Sequence, residues 1–420
     1  MIEWSESHQM VRDMVRKFVE TEIQPNLEPL EHGDMPPYAI LRKLVKTFGM
    51  DELARQRFRH QIEKDKRAAE AKARGEAAAD ETKEKKARAD GGDSAAMQII
   101  PIIELCRFCP GMVTAMGVSM GLTAASIMSK GTIAQKERWA LDLLTLDKIG
   151  AWAITEPGSG SDAFGGMKAT ARRDGQGGYV LNGNKTFITN GPYADTIVFI
   201  CKLDEPGVAP ADRKILHFVL EKGMPGLTQT KPMRKMGMHS SPTGELFLQD
   251  VKAGSDRLLG EKEDVAAKSG KAGAKDTFSM ERSGVAAMSL GIIERCLELS
   301  VKYSKERVAW GQPIGEYQLI QLKLAKMEVA RMNVQNLVFR HIETVANGKS
   351  MSFAEASAMK LYSAQAATEV ALEAVQLYGG NGYMAEYQVE QLARDAKVLQ
   401  IYAGTDEMQV RAIARDLLSR

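Results

Sequence analysis

Near the N-terminus, apolar residues recur at helical spacing at Val11, Met14, Val15, Phe18 and Val19. This spacing predicts an amphipathic helix that Pro25 ends. Long helical periodicity dominates residues 1 to about 150. From about 151 to 268 the pattern changes. Short apolar runs at 178–182, 196–201 and 215–220 are bounded by Gly, Pro, Asn and Asp, which predicts antiparallel strands joined by turns. From about 275 helical periodicity returns. The order helical, β, helical predicts an α+β chain of three parts: an N-terminal helical domain over 1–150, a central antiparallel β domain over 151–268 and a C-terminal helical domain over 269–420.

Residues 60–94 break the first helical zone. They are rich in Ala, Lys, Glu, Asp and Arg with almost nothing to bury, and read as an exposed insertion, either a solvated helix or a disordered segment. The charges there are mixed in sign. With a formal net charge of +2 over 420 residues, the chain also lacks the basic face that bulk capture of nucleic acid requires. No apolar run reaches membrane-spanning length by this reading. The N-terminus lacks the apolar core and cleavage site of a signal peptide, so a cytoplasmic chain is expected. Four cysteines make no disulfide scaffold. The lone pair Cys106 and Cys109 reads as two buried thiols, because no second pair or histidine cluster completes a metal site. Gly270-Lys271 fails as a phosphate loop, since Val265 and Ala272 stand where Gly and Ser/Thr are required.

Three stretches carry candidate chemistry. In AWAITEPGSGSDAFGG, residues 151–166, Gly158 and Gly160 let backbone approach a ligand beside the hydroxyls of Thr155, Ser159 and Ser161. In LNGNKTFITNG, residues 181–191, Phe187 and Thr189 share a strand face and suit a flat heteroaromatic ring. In QLYGGNGYMAEYQVEQLARDAK, residues 376–397, a Gly-Gly-Asn-Gly break is costly in a helical zone unless the backbone must turn or approach something.

Together these stretches, with KMGMHSSPTGELFLQDV (235–251) and SKERVAWGQPIGEYQ (304–318), resemble the acyl-CoA dehydrogenase family over nearly the whole chain outside the insertion. The resemblance implies a helical domain, a central β domain and a C-terminal four-helix bundle, assembled as a homotetramer around FAD. It implies oxidation of an acyl-CoA thioester to the trans-2-enoyl form, with electrons passed to electron-transferring flavoprotein. Carried across by position, Trp152, Ile154, Thr155, Phe187 and Thr189 meet the flavin ring, with Phe187 where Trp is common. Ser161 lies near the flavin phosphates or the substrate pantetheine. Arg307, Trp310, Tyr317, Gln318, Gln376, Gly379 and Gly380 hold the adenosine and pyrophosphate end across a subunit boundary, where a guanidinium such as Arg307 pairs with phosphate. Thr405 and Glu407 also face the cofactor. Phe278, Arg282, Tyr402, Ala403 and Gly404 are assigned to the substrate.

Many family members read Tyr-Glu-Gly-Thr near the C-terminus, and that Glu is the base. Here the stretch is Tyr402-Ala403-Gly404-Thr405, and alanine cannot accept a proton. A minority of the family, including isovaleryl-CoA and long-chain types, carries the carboxylate just before an Arg at the start of a C-terminal helix, which Glu281-Arg282 matches. The resemblance therefore implies Glu281 as the base. The backbone N–H of Ala403 and a ribityl hydroxyl are implied as donors to the thioester oxygen. The competing reading of Glu281 is a helix-terminal acid capped by Ser279; Asp406 and Glu407 are rival bases. A non-catalytic acyl-CoA/FAD-binding member of the fold, or an oxidase using oxygen, would share the same motifs. Gln391 replaces the usual Lys or Arg, at the expected expense of an ion pair.

Overall fold

The computed structural model describes residues 3–33, 35–74 and 91–420, with backbone alone for 72, 91–94 and 265–280. The N-terminal helices are α1 (Glu6–Phe18), α2 (Leu27–Glu31), α3 (Tyr38–Thr47), α4 (Met50–Ala73), α5 (Gly91–Cys106), α6 (Pro110–Gly117), α7 (Ala125–Lys130) and α8 (Ile133–Leu144). Ser5 caps α1, which buries Val15 and Phe18. Its Arg12 donates to Glu104 and Glu294, each at 2.7 Å.

The charged segment is anchored where it begins. Residues 60–73 continue α4, Ile62 is buried, and Lys66 and Asp65 pair with Glu137 and Lys136 of α8. The part of the predicted insertion from 75 to 90 lies outside the described residues.

One expectation is corrected in this layer. α6, a π-helical segment Val118–Ala124 and α7 form a continuous stretch, Pro110–Lys130, whose length and mean hydropathy of 1.4 reach those of a membrane span. Its most apolar 18-residue window is 56% buried. The Gly150 amide donates to Ser119 Oγ, and the Asn190 amide to Ala115 O. Ala124 and Ile127 of the stretch share a buried cluster with Val198, Ile200 and Val219, so its apolar side docks on the sheet.

The central region contains β1 (Gly150–Ala153), a one-turn helix α9 (Ala163–Gly166), β2 (Thr170–Arg173), β3 (Gly178–Thr189), β4 (Thr196–Leu203), β5 (Ile215–Glu221), β6 (Leu227–Gln229) and β7 (Thr243–Gly254). They form one sheet in the order β1-β4-β2-β3-β7-β6, with β5 also on β4. The sheet is mixed, not wholly antiparallel as expected, because β4 runs parallel to both β1 and β2. Parallel pairs require a long return connection. The excursion between β1 and β2, which carries the Gly/Ser loop, lets the chain re-enter the sheet in the same direction. Local strand patterns do not encode that return.

The C-terminal region begins with α10 (Glu263–Glu306), followed by the short hairpin β8 (Val308–Ala309) and β9 (Gln312–Pro313), then α11 (Gln318–Ala346), α12 (Phe353–Tyr378), α13 (Gln388–Val398) and α14 (Asp406–Leu417). At 44 residues, α10 is about 66 Å long. It starts 18 residues before Glu281, which therefore sits inside a helix and not at its entrance. The helix-terminal reading of Glu281 and the Ser279 cap fall with this. The apolar pattern at 282–293 marks where the helix becomes buried: Arg282 and Ser283, then Val285 to Ile293, lie in the interior. Across from it, α12 buries Ala356, Ala364, Ala367, Ala371 and Ala374, small residues that let two helices approach closely.

Candidate active site

The Gly/Ser loop after β1 is fixed from below. Lys185, fully buried on β3, donates to Ile154 O and to Glu156 Oε1, both at 2.9 Å. Glu156 also accepts from the amides of Lys168 and Ala169. Burial pulls the Lys185 ammonium below its ordinary pKa, and Glu156 opposes that shift. Above this support Trp152 and Thr155 are half-buried, Ile154 is buried and Ser161 is exposed. Gly158 and Gly160 have open space where a Cβ would stand.

A bulge lies between Lys185 and Ile188 on β3, and Phe187 takes φ +56° there. Thr186, Ile188 and Asn190 point into the core, while Phe187, 65% exposed, and the half-buried Thr189 stand on the other side. An aromatic ring held open beside hydroxyls and a rigid loop fits a flat heteroaromatic cofactor.

Contacts carry this face to the C-terminal helices. Asn190 docks on Ala115, the preceding residue Thr114 faces Tyr402, and Tyr402 Oη approaches Met288 Sδ at 3.3 Å. Met288 lies two turns from Glu281 on the same side of α10. Gly284, between them on that side, has no atom of the described residues within 4 Å of where a Cβ would sit. The described residues therefore leave that position, on the Glu281 side of α10, unfilled.

Glu281 is half-buried, and among the described residues its carboxylate has no hydrogen-bond or ion-pair partner. Burial raises its pKa to about 7, with Arg282 and then Lys360 pulling it back. Arg282 is only 5% exposed. It donates to Ser357 Oγ at 3.1 Å and lies 3.9 Å over the Phe353 ring, so it is held by α12. Its charge reaches Glu281 all the same, which an exposed neighbour on another helix face would not do. Phe278 lies outside the residues whose side chains are described.

The turn 402–405 completes this side. Ala403 and Gly404 both have left-handed φ, +53° and +85°. Their carbonyls are tied down: Gln409 Nε2 donates to both, and Lys360 Nζ donates to Gly404 O at 2.9 Å. The amides of Ala403, Gly404 and Thr405 donate to no acceptor among the described residues. Successive free N–H groups in such a turn form an anion-binding concavity. Asp406 accepts from Gln365 and Gln400 and lies 3.5 Å from Lys360. The exposed Glu407 is held below its ordinary pKa, first by the Thr405 hydroxyl.

The remaining expected residues form a second group. The exposed Arg307, Trp310 and Gln318 and the half-buried Tyr317 gather on the β8–β9 hairpin and the start of α11. The exposed Gln376, Gly379 and Gly380 lie at the end of α12. Stacking of Tyr303 on Tyr378, centroids 3.9 Å apart, joins the two parts. Trp310 is 91% exposed. Arg307 lies 26 residues beyond Glu281, about 39 Å along α10. One chain does not bring the two groups together.

Lys360 was not anticipated from the sequence. In AMKLY on an Ala-rich helix it reads as a solvated lysine, yet it is fully buried. Also missed was a pair of buried acids at the seam of the three regions, Glu31 of α2 and Asp395 of α13. Burial raises both, and the Asp395 charge raises Glu31 further. Asp395 accepts from the Met238 amide and from Gln391, which also donates to Phe108 O at 2.8 Å. An amide at 391 thus takes up two acceptors where an ion pair was expected. Cys106 and Cys109 are free and buried close by, and burial keeps their thiols protonated.

The chain is similar in sequence and fold to known proteins. The description "Acyl-CoA dehydrogenase, middle domain" matches residues 151–251, and "Acyl-CoA dehydrogenase, C-terminal domain" matches 268–418. A short-chain specific acyl-CoA dehydrogenase of Megasphaera elsdenii is 39% identical over 78% of this chain and 83% of its own. The solved butyryl-CoA dehydrogenase from Megasphaera elsdenii aligns over 100% of both chains with a TM-score of 0.81 and 32% identity. A glutaryl-CoA dehydrogenase from Mycobacterium smegmatis, solved in complex with FADH2, aligns over 99% of this chain and 96% of its own, with a TM-score of 0.78 and 25% identity.

Proposed function

Because this chain belongs to the acyl-CoA dehydrogenase family, FAD-dependent oxidoreductases acting on CH–CH bonds, we propose that it dehydrogenates an acyl-CoA thioester to the trans-2-enoyl-CoA with Glu281 as the α-proton base. Bound FAD supplies the acceptor for the β-hydride. Phe187, Thr189, Thr155 and Ile154 would seat its ring on the open side of β3, above the loop braced by Lys185 and Glu156.

The single observation behind this reading is the Glu281 carboxylate, unpaired among the described residues, beside the vacancy at Gly284. A base must be able to take a proton near the working pH, and a pKa of about 7 meets that need. The rivals are worse placed. Asp406 is occupied by two amide donors and Lys360, and Glu407 is exposed with a lowered pKa. Removal of the α-proton builds charge on the thioester oxygen, and the unpaired amides at 403–405 are the donors this chain offers to it. Alanine at 403 leaves those N–H groups intact. The base therefore moves to α10 without loss of the oxygen site.

The group around Arg307, Trp310 and Gln376 would serve the cofactor of a neighbouring copy, since its own Glu281 is too far away. That supports an oligomer in which two copies share each site, and the homotetramer is the form the family resemblance implies. Electron-transferring flavoprotein is the acceptor this reading implies, and FAD and acyl-CoA are the two ligands.

Rapid mixing of the yellow protein with a panel of acyl-CoA esters tests the assignment through flavin bleaching. Glu281→Gln is expected to retain FAD and slow bleaching about a thousandfold. Full-speed bleaching in that variant would remove Glu281 from the reaction.

A further inference from the structure

The geometry points to Lys360 as a positioning residue: its buried ammonium holds the Gly404 carbonyl and so helps fix the 403–405 turn, whose free amides are the donors offered to the thioester oxygen. This inference rests on the reading of the site as one that takes an acyl-CoA thioester.

Three observations carry it. Lys360 is fully buried on α12, yet it spends a hydrogen bond on a backbone carbonyl 44 residues away, at 2.9 Å. A buried ammonium is costly, and a methionine would fill the same space without that cost. In a peptide unit the C=O and N–H point in opposite directions. Holding Gly404 O, which Gln409 Nε2 shares at 2.7 Å, therefore fixes the direction of the Thr405 N–H, and the Gln409 bond to Ala403 O does the same for the Gly404 N–H. The turn has two consecutive left-handed residues, one of them an alanine, a conformation that persists only when its surroundings over-determine it. Lys360 and Gln409 supply that constraint from the carbonyl side and leave the amides unpaired.

The charges around Lys360 fit this role. Asp406 at the start of α14 lies on one side and Arg282 and Glu281 of α10 on the other. Asp406 favours the ammonium that burial disfavours. The field of that ammonium helps keep the Glu281 pKa near neutrality and not higher.

The test compares two ligands on the oxidised holoenzyme: an enoyl-CoA thioester, and a thioether analogue of equal length that lacks the carbonyl oxygen. Calorimetry gives each Kd, so no turnover is needed. Wild type is expected to prefer the thioester. Lys360→Met is expected to lose about tenfold of that preference while thioether affinity holds, because a loosened turn misaims only the oxygen donors. Lys360→Gln, uncharged but still a donor, should fall between the two and serves if the Met variant fails to load FAD. An unchanged preference in either FAD-loaded variant, or equal weakening of both ligands, would overturn the role of Lys360. Absence of any thioester preference in wild type would instead overturn the reading of the site itself.

Discussion

Two groups of acids among the described residues have pKa values raised by burial, and they are built differently. Glu281 stands alone on α10, near Arg282 and Lys360, with open space on its own face at Gly284. Glu31 and Asp395 face each other at the seam of three regions, with the Met238 amide and Gln391 closing on Asp395. A raised pKa by itself does not identify a base, since burial produces it in both places. Access to a substrate separates the two. The carboxylate at 281 has a vacancy beside it, whereas those at the seam are enclosed by protein.

The most demanding way to break this comparison is to neutralise each acid in turn. Glu281→Gln should abolish nearly all bleaching, as stated above, while Glu31→Gln should change the bleaching rate less than about twofold. Comparable losses in both would mean that the seam takes part in the chemistry.

A smaller effect should appear at the vacancy. Gly284→Ala adds a methyl to a helix interior where nothing lies within 4 Å, so the free protein should gain about 1 kcal/mol in denaturant unfolding. Acyl-CoA should nonetheless bind about tenfold more weakly, because the methyl occupies ligand space. Stabilisation without weaker binding would place the substrate elsewhere.

On the cofactor side, Phe187→Ala should weaken FAD about tenfold by fluorescence titration, through loss of an aromatic face. Glu281→Gln should leave that affinity unchanged.

The smallest effect concerns stability against pH. Both groups of acids bind protons more tightly when folded, so their contribution is full at low pH and is lost as pH rises from the ordinary carboxylate range through the raised value. For Glu281 that window runs from 4.5 to about 7. Glu31→Gln should flatten the fall of Tm with pH by about 2–4 °C in differential scanning calorimetry. Asp395→Asn should act in the same direction by removing the like charge.

Much of the site could be read from residue order, and particular residues show where that reading stops. Alanine at 403 and the Glu281-Arg282 pair are local facts, and the proposed shift of the base comes from setting them beside the family's pattern. Phe187 and Thr189 share a face because strands alternate. Lys360 was invisible, since a lysine on an alanine-rich helix has no sequence mark of burial. The seam acids were missed for the same reason: Glu31 and Asp395 are 364 positions apart. The start of α10 was misplaced because the helix enters the core only from residue 282, and apolar pattern marks burial, not helix ends. The membrane-length stretch at 110–130 was missed because polar and small residues interrupt its apolar run.

The sequence by itself determined the division into helical, strand and helical zones, the glycine-rich loops, the loss of a carboxylate at 403 and its presence at 281, because periodicity and residue chemistry are local. Tertiary structure alone decided which strands run parallel, which charges reach Glu281, and that the 402–405 turn is held by its carbonyls with its amides free. Those properties depend on desolvation and on directions in space, and both exist only once distant segments have packed together.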